Sequence, residues 1–176
     1  CFERYKDKVK YWLTFNEINI ACMGEGGIGN LYGLGIMDPQ DVNADHRIPL
    51  NELKSNMQTT YVALHNQFVA SALTVKAGHE INPDFMIGNM IAHVTVYPLT
   101  PNPKDILACY DEDNLKNNLC GDVQVRGEYP DFAYRFFKEN GIDYSYITEE
   151  DKKILKEGTV DFYTFSYYQS NCITVD

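Results

Sequence analysis

Long apolar runs and basic charge are both scarce in this chain of 176 residues. No run of about 18 apolar residues occurs, so we expect no membrane-spanning helix. Only 15 Lys and Arg stand against 25 Asp and Glu, and the net charge of −10 argues against nucleic acid or an anionic membrane as a partner. The first residues, CFERYKDK, carry charges where a signal peptide is apolar. They resemble the end of a helix, so we expect the chain to be a piece of a longer protein.

Metal and disulfide frameworks are also missing from the sequence. The cysteines are odd in number, widely spaced and without a CxxC pair, and the four histidines lack the spacing of metal ligands. We therefore predict reduced thiols, a reducing compartment, and no metal or cofactor. The cysteines are Cys1, Cys22, Cys109, Cys120 and Cys172. His65 shares an apolar helical stripe, which predicts a histidine at the edge of the core.

Hydrophobic patterning predicts an alternation of strands and helices without internal repeats. The predicted strands are 9–16, 85–98 and 159–168. The predicted helices are about 51–78, 102–118, 129–142 and 147–158, with loops over 20–50 and 119–130. Such alternation predicts a parallel sheet, and strands that are apolar throughout predict burial on both faces. A doubly wound sheet and a (β/α)₈ barrel both fit this order.

A glycine-rich segment follows the first predicted strand, and Gly24, Gly26 and Gly29 match GxGxxG. A dinucleotide-binding fold needs this motif to open a helix, whose N-terminus holds the pyrophosphate. Here the segment continues into NLYGLGIMDPQD, which contains further Gly and a Pro and no amphipathic pattern. The pattern therefore predicts a glycine-rich loop and not a nucleotide site.

Asn16 and Glu17 stand where the apolar strand ends. In a barrel of parallel strands, the C-terminal strand ends carry the chemistry. Burial disfavours the charged form of a carboxyl group, which suits a general acid, and an amide suits sugar hydroxyls. From the residues alone, Glu17 could equally cap a helix or pair with a basic residue.

TFNEIN resembles the acid/base signature of glycoside hydrolase family one, the β-glucosidase family. The resemblance continues in order through YVALHNQFVASALTVKAG, IGNMIAHVTVYPLTPNPKD, VQVRGEYP and VDFYTFSYY. It implies an α/β fold that is part of a (β/α)₈ TIM barrel, roughly strands four to six with their helices. Residues 1–176 would then be a single partial domain from the centre of that barrel.

Within this family, the chain is most similar to bacterial 6-phospho-β-glucosidases. VYPLTPNPKD, DVQVRGEYP and FYTFSYYQSN carry this similarity, with Ser166 where plain β-glucosidases usually have Asn. It implies retaining hydrolysis of phosphorylated β-glucosides in the cytoplasm, without cofactor or metal. A plain β-glucosidase or a 6-phospho-β-galactosidase of the same family is the first alternative. A non-catalytic sugar-binding or assembly module is the alternative from another class.

The resemblance also implies roles for three residues. Glu17 would be the acid/base, Asn16 would bind the 2-hydroxyl of the sugar, and Tyr168 would orient the nucleophile. From the strand pattern alone, Tyr168 is a core aromatic. Glu139, in an Asn-Gly context, imitates the motif of the family's nucleophile, but it precedes the sixth strand and ends a helix, so we reject it.

The family's nucleophile and phosphate-binding loop have no match in this sequence. A retaining hydrolase needs two carboxylates about 5 Å apart. We therefore expect the isolated chain to be inactive, and to self-associate through open barrel edges or adopt a partial sheet.

Overall fold

The computed structural model describes residues 1–23 and 27–175. Within these ranges, the strands form one parallel sheet in the order in which they follow along the chain. The strands are β1 (Tyr11–Leu13), β2 (Met86–Pro98) and β3 (Phe162–Ile173). The parallel sheet predicted from the alternation of strands and helices is therefore confirmed. Sequential order fits one wall of a barrel, and it also fits one half of a doubly wound sheet, whose strand order reverses only between its two halves.

The helices lie before β1, between β1 and β2, and between β2 and β3. They are α1 (Phe2–Tyr5), α2 (Pro39–Val42), α3 (Met57–Ile81), α4 (Pro103–Asp113), α5 (Leu119–Arg126), α6 (Asp131–Glu139) and α7 (Glu149–Glu157). Short 3₁₀ turns occupy Ile18–Cys22 and Leu50–Glu52, and π-helical turns occupy Asn30–Leu34 and Asn114–Asn118. None of the helices in the described ranges has the length and apolarity to cross a membrane.

The helices cover one face of the sheet. Ile87 and Ile91 of β2 are fully buried and belong to apolar clusters with side chains of the helices. The opposite face is open, since Tyr11 is 66% exposed and Leu13 is 45% exposed. The prediction that both faces of the strands are buried is therefore wrong. No described residues pack over that face, which the strands of the opposite wall would cover in a closed barrel.

Capping residues explain where several helices begin and end. Asn56 caps α3 by accepting a hydrogen bond from Thr59 N at 3.1 Å, so the helix starts there and not near residue 51 as predicted. The capping box predicted at Thr148 and Asp151 is confirmed, with both reciprocal hydrogen bonds present. The predicted helix stop is confirmed too: α6 ends before Asn140, and Gly141 follows with φ of +65°.

Further predicted boundaries are wrong, and β3, predicted to end at 168, extends to Ile173. Residues 119–126, predicted as a loop, form α5; its Gly121 lies against the Tyr163 ring, so packing outweighs a low helix propensity. The first strand pairs only over three residues, because the chain leaves the sheet after Thr14 N bonds to Gly88 O. The predicted loop over 20–50 contains the short helical turns given above.

Gly24 and Gly26 of the GxGxxG match lie outside the described residues, and Gly29 precedes the turn Asn30–Leu34.

Candidate active site

Glu17 lies just beyond the end of β1, on the chain between the sheet and the turn Ile18–Cys22. Its backbone adopts the left-handed conformation, with φ of 49° and ψ of 51°. This conformation is unfavourable for any residue other than glycine, so it persists only where the surrounding structure stabilises it. The residue is nearly buried, with 8% of its surface exposed, and its Oε1 accepts a hydrogen bond from the Tyr168 hydroxyl. The structure therefore brings these two predicted site residues together.

Tyr168 reaches Glu17 because β3 is irregular at this point. His93 of β2 pairs with Tyr167 and the next residue, Val94, pairs with Gln169, so Tyr168 is the extra residue of a bulge. Bulges redirect a side chain from the regular alternation of a strand. The hydrogen bond with the Glu17 carboxylate raises the pKa of the Tyr168 hydroxyl, so Tyr168 remains the donor. Tyr168 is 63% exposed, so the structure contradicts a core aromatic at this position.

Asn16 is exposed at the same strand end, next to Glu17. Glu139, which we rejected as a nucleophile, lies on the exposed end of α6 with its Oε1 4.0 Å from Arg135 Nε. The three predicted site residues therefore share one end of the sheet, whereas Glu139 belongs to the helical layer. Chemically, this arrangement offers one nearly buried carboxyl group beside an exposed amide and a phenol.

Asn19 is a residue that the sequence prediction missed. It is fully buried, and its side chain forms hydrogen bonds with both backbone groups of Ala92 in β2: Nδ2 donates to the carbonyl oxygen at 2.9 Å, and Oδ1 accepts from the N–H at 2.8 Å. Nδ2 also donates to the carbonyl oxygen of Lys116 at 2.6 Å. A polar signal was present in the sequence, since Asn19 stands between Ile18 and Ile20 in an otherwise apolar turn.

A buried polar network lies below this turn. Asn89 donates to Gln124 at 3.3 Å, Gln124 donates to the Ser71 hydroxyl at 2.9 Å, and Ser71 donates to the Thr14 hydroxyl at 2.9 Å. Asn89 also accepts a hydrogen bond from Thr164 N at 3.3 Å. The network joins β2, β3, α3 and α5 to the segment that leads from β1 to Glu17. It fixes the start of that segment to the body of the fold.

Metal-binding groups do not assemble among the described residues at this end of the sheet. In residues 1–23 and 27–175, no group of three or more His, Cys, Asp or Glu is placed to hold a metal ion. All five cysteines are free thiols. His65 is 3% exposed and lies between the Tyr129 hydroxyl at 3.0 Å and an Asp151 carboxylate oxygen at 3.4 Å. It is deeper in the core than the edge position predicted from its stripe.

Comparisons with known proteins match the whole chain. The family model of glycosyl hydrolase family 1 matches residues 1–176. A 6-phospho-β-glucosidase of Clostridium longisporum is 43% identical over 99% of this chain and 33% of its own length. An aryl-phospho-β-D-glucosidase of Bacillus subtilis is 42% identical over the same shares. The chain thus spans about a third of the length of these relatives.

Solved structures agree with the sequence comparisons. A β-glucosidase from Exiguobacterium marinum superposes with a TM-score of 0.75 at 22% identity, over 100% of this chain and 35% of that one. A Thermotoga maritima β-glucosidase in complex with glucoimidazole gives a TM-score of 0.73 at 25% identity, over 99% of this chain and 35% of that one. These neighbours are TIM barrels, so the predicted partial barrel is confirmed. With the family model covering every residue, the chain belongs to glycosyl hydrolase family 1.

Proposed function

We propose that the complete protein hydrolyses the β-glucosidic bond of 6-phospho-β-glucosides with retention of configuration. The observation that carries the proposal is the nearly buried Glu17 at the C-terminal end of a parallel strand, held by the Tyr168 hydroxyl. Two relatives whose names specify phosphorylated β-glucosides support the substrate, at 43% and 42% identity. This chain covers about a third of the length of each of these relatives.

In the proposed mechanism, Glu17 first acts as an acid and then as a base. It donates its proton to the glycosidic oxygen as the bond to the leaving group breaks, and it later removes a proton from the attacking water. Asn16, exposed beside it, donates a hydrogen bond to the 2-hydroxyl of the sugar, a contact that strengthens towards the oxocarbenium-like transition state. These groups bind and protonate the substrate but do not attack it.

The nucleophile would be a second carboxylate, about 5 Å from Glu17 in a retaining enzyme. We infer that it comes from a part of the protein beyond these 176 residues, since the relatives are about three times as long. Tyr168, which donates to Glu17 here, would lie between the two carboxylates and also orient the nucleophile. The chemistry needs no metal or cofactor in this proposal.

We propose a cytoplasmic location, because phosphorylated glucosides arise on sugar uptake into the cell and the five free thiols suit a reducing compartment. A plain β-glucosidase or a 6-phospho-β-galactosidase remains the alternative. Parallel measurement of kcat/KM for aryl β-glucoside, its 6-phosphate and the galactoside 6-phosphate separates the three. Preference for either alternative substrate would refute the proposed specificity.

The isolated chain of 176 residues should be inactive and self-associating. It exposes apolar side chains on an open sheet, among them Tyr11 at 66%, Phe165 at 57% and Tyr167 at 61%. Open strand edges and large apolar patches promote association. Sedimentation over a range of concentrations should detect oligomers. A monomer that hydrolyses an aryl β-glucoside 6-phosphate would contradict both expectations.

Glu17→Gln in the complete protein tests the proposed role. We expect kcat for a phenyl 6-phospho-β-glucoside to fall about 10²–10⁴-fold, the usual contribution of a general acid, while the affinity for the substrate changes little. Glu139→Gln is the matched control, because it removes an exposed carboxylate of the same kind from the helical layer, and kcat should be unchanged. Full turnover by Glu17→Gln would exclude Glu17 as the acid. Binding without turnover by the unmodified protein would favour a sugar-binding module instead.

A further inference from the structure

Beyond Gly88, the edge of β2 that faces β1 has no strand beside it in the described part of the chain. The backbone groups of Gly88 point to β1, since its carbonyl oxygen accepts from Thr14 N at 3.2 Å. Backbone groups alternate between the two edges of a strand, so those of Ala92 and Val94 point the same way. By then β1 has ended at Leu13. Each of these residues would keep an unpaired N–H and C=O without a substitute.

Two asparagine side chains take the place of the missing strand. Asn19 pairs with the N–H and C=O of Ala92 at 2.8 Å and 2.9 Å. Asn117 pairs with those of Val94 at 3.2 Å and 2.8 Å. An amide side chain carries the same donor and acceptor as a peptide group, so it can complete the ladder. Both residues are buried, at 0% and 1% exposure, so water does not compete for these bonds.

The two asparagines differ in what they hold. Asn19 follows the proposed acid/base by two residues and bonds to Ala92 and Lys116, which are 73 and 97 positions away in the chain. Asn117 lies in the turn after α4, and its side chain bonds to the backbone of Val94 and to Asp113 Oδ1 at 2.7 Å, neither of which belongs to the segment that carries Glu17. Glu17 itself is in a left-handed conformation that its surroundings must maintain.

We propose that Asn19 is a positioning residue: by replacing a strand on β2, it fixes the backbone of Glu17 and aims its carboxyl group at the sugar. The proposal deepens the proposed function and rests on it. Asn19 acts through Glu17 and does not touch the substrate. Its loss should therefore impair proton donation selectively, rather than hydrolysis in general.

The leaving group separates these two effects. The dinitrophenolate of a dinitrophenyl 6-phospho-β-glucoside is a good leaving group and departs without being protonated. The phenolate of a phenyl 6-phospho-β-glucoside is a poorer leaving group and needs a proton from the general acid. In the complete protein, Asn19→Ala should lower kcat/KM about 10²-fold for the phenyl substrate, the cost of a misplacement of about 1 Å, and less than about threefold for the dinitrophenyl substrate. Asn117→Ala is the matched control, because it removes an equally buried pair of hydrogen bonds to β2. It should leave the ratio of kcat/KM for the two substrates unchanged.

A second measurement does not depend on activity. The Tyr168 hydroxyl reports the position of Glu17 because the hydrogen bond between them raises its pKa. In Asn19→Ala, NMR titration of ¹³C-labelled tyrosine, assigned with Tyr168→Phe, should give a lower pKa for Tyr168. Asn117→Ala should leave it unchanged. Should Asn19→Ala fail to fold, Asn19→Asp is the second variant, because it keeps the side-chain volume and the acceptor for Ala92 N–H. We expect the same selective loss of kcat/KM for the phenyl substrate, by a smaller factor.

The outcomes separate the two proposals. If the unmodified protein hydrolyses neither substrate, the proposed function fails, and the Tyr168 titration alone decides whether Asn19 positions Glu17. Equal losses on both substrates in Asn19→Ala, or an unchanged Tyr168 titration, would overturn the positioning role. A selective loss on the phenyl substrate together with a lowered Tyr168 pKa would establish it.

Discussion

Replacing Gln124 with Leu should destabilise the chain more than the small change in side-chain volume suggests. Leu is close to Gln in volume, so the change removes polar groups and leaves little cavity. It deprives the Asn89 amide of its acceptor at 3.3 Å and the Ser71 hydroxyl of its donor at 2.9 Å. Asn89 is fully buried and Gln124 is 5% exposed, so water cannot replace these bonds.

The expected cost follows from the group left without a partner. A buried donor without an acceptor costs about 1–3 kcal/mol, and we take about 2 kcal/mol for the Asn89 amide. For a chain of this size, 1 kcal/mol corresponds to about 2–4 °C in Tm, so Gln124→Leu should lower Tm by about 4–8 °C. Ser71 keeps its bond to Thr14 at 2.9 Å and adds little.

The assay is thermal unfolding of the purified chain by far-ultraviolet circular dichroism, at one fixed concentration because association would shift Tm. Gln58→Leu is the matched control: Gln58 also makes two hydrogen bonds, both at 2.8 Å to the backbone of Asp143, but at the surface. Water replaces those bonds, so the loss should be about 1 kcal/mol or less. If Gln124→Leu costs no more than Gln58→Leu, the reasoning about the buried network is refuted.

A double variant tests whether the network acts as a unit. Ser71→Ala should cost less in the Gln124→Leu background than alone, because the two residues share a hydrogen bond and such pairs couple by about 0.5–3 kcal/mol. Strict additivity would mean that the bond at 2.9 Å contributes nothing to stability.

Two further predictions concern titrating groups. Burial lowers the pKa of His65 below its ordinary value of 6.5, so the unfolded chain binds more protons below that pH and stability should fall as the pH drops from about 7 to about 5. Urea midpoints of the unmodified chain and of His65→Gln over this range should differ in slope, and equal slopes would contradict the cause. Glu17→Gln should lower the pKa of Tyr168, measured by ¹³C NMR, because the hydrogen bond to the carboxylate raises it; an unchanged value would mean that the pair does not form in solution.

Much of the fold could be predicted because its signals are local. The strand and helix alternation, the capping box at Thr148 and the helix stop at Gly141 each depend on residues within a few positions of one another. Of the boundaries that failed, the start of α3 depends on the local Asn56 cap, whereas the helix α5 includes a distant contact. Residues 119–126 form a helix in which Gly121 lies against Tyr163, 42 positions along the chain, and no local pattern indicates this contact.

The candidate site divides in the same way. The sequence by itself placed Asn16 and Glu17 at the end of a strand and supplied the family motif around them. Only the tertiary structure decided that Tyr168 turns to Glu17 through a bulge in β3, and that Asn19 completes the edge of β2. The physical reason is that a polar side chain can satisfy its hydrogen bonds with many partners. The partner that Asn19 meets, 73 positions away, is set by the packing of the sheet and not by its neighbours in the chain.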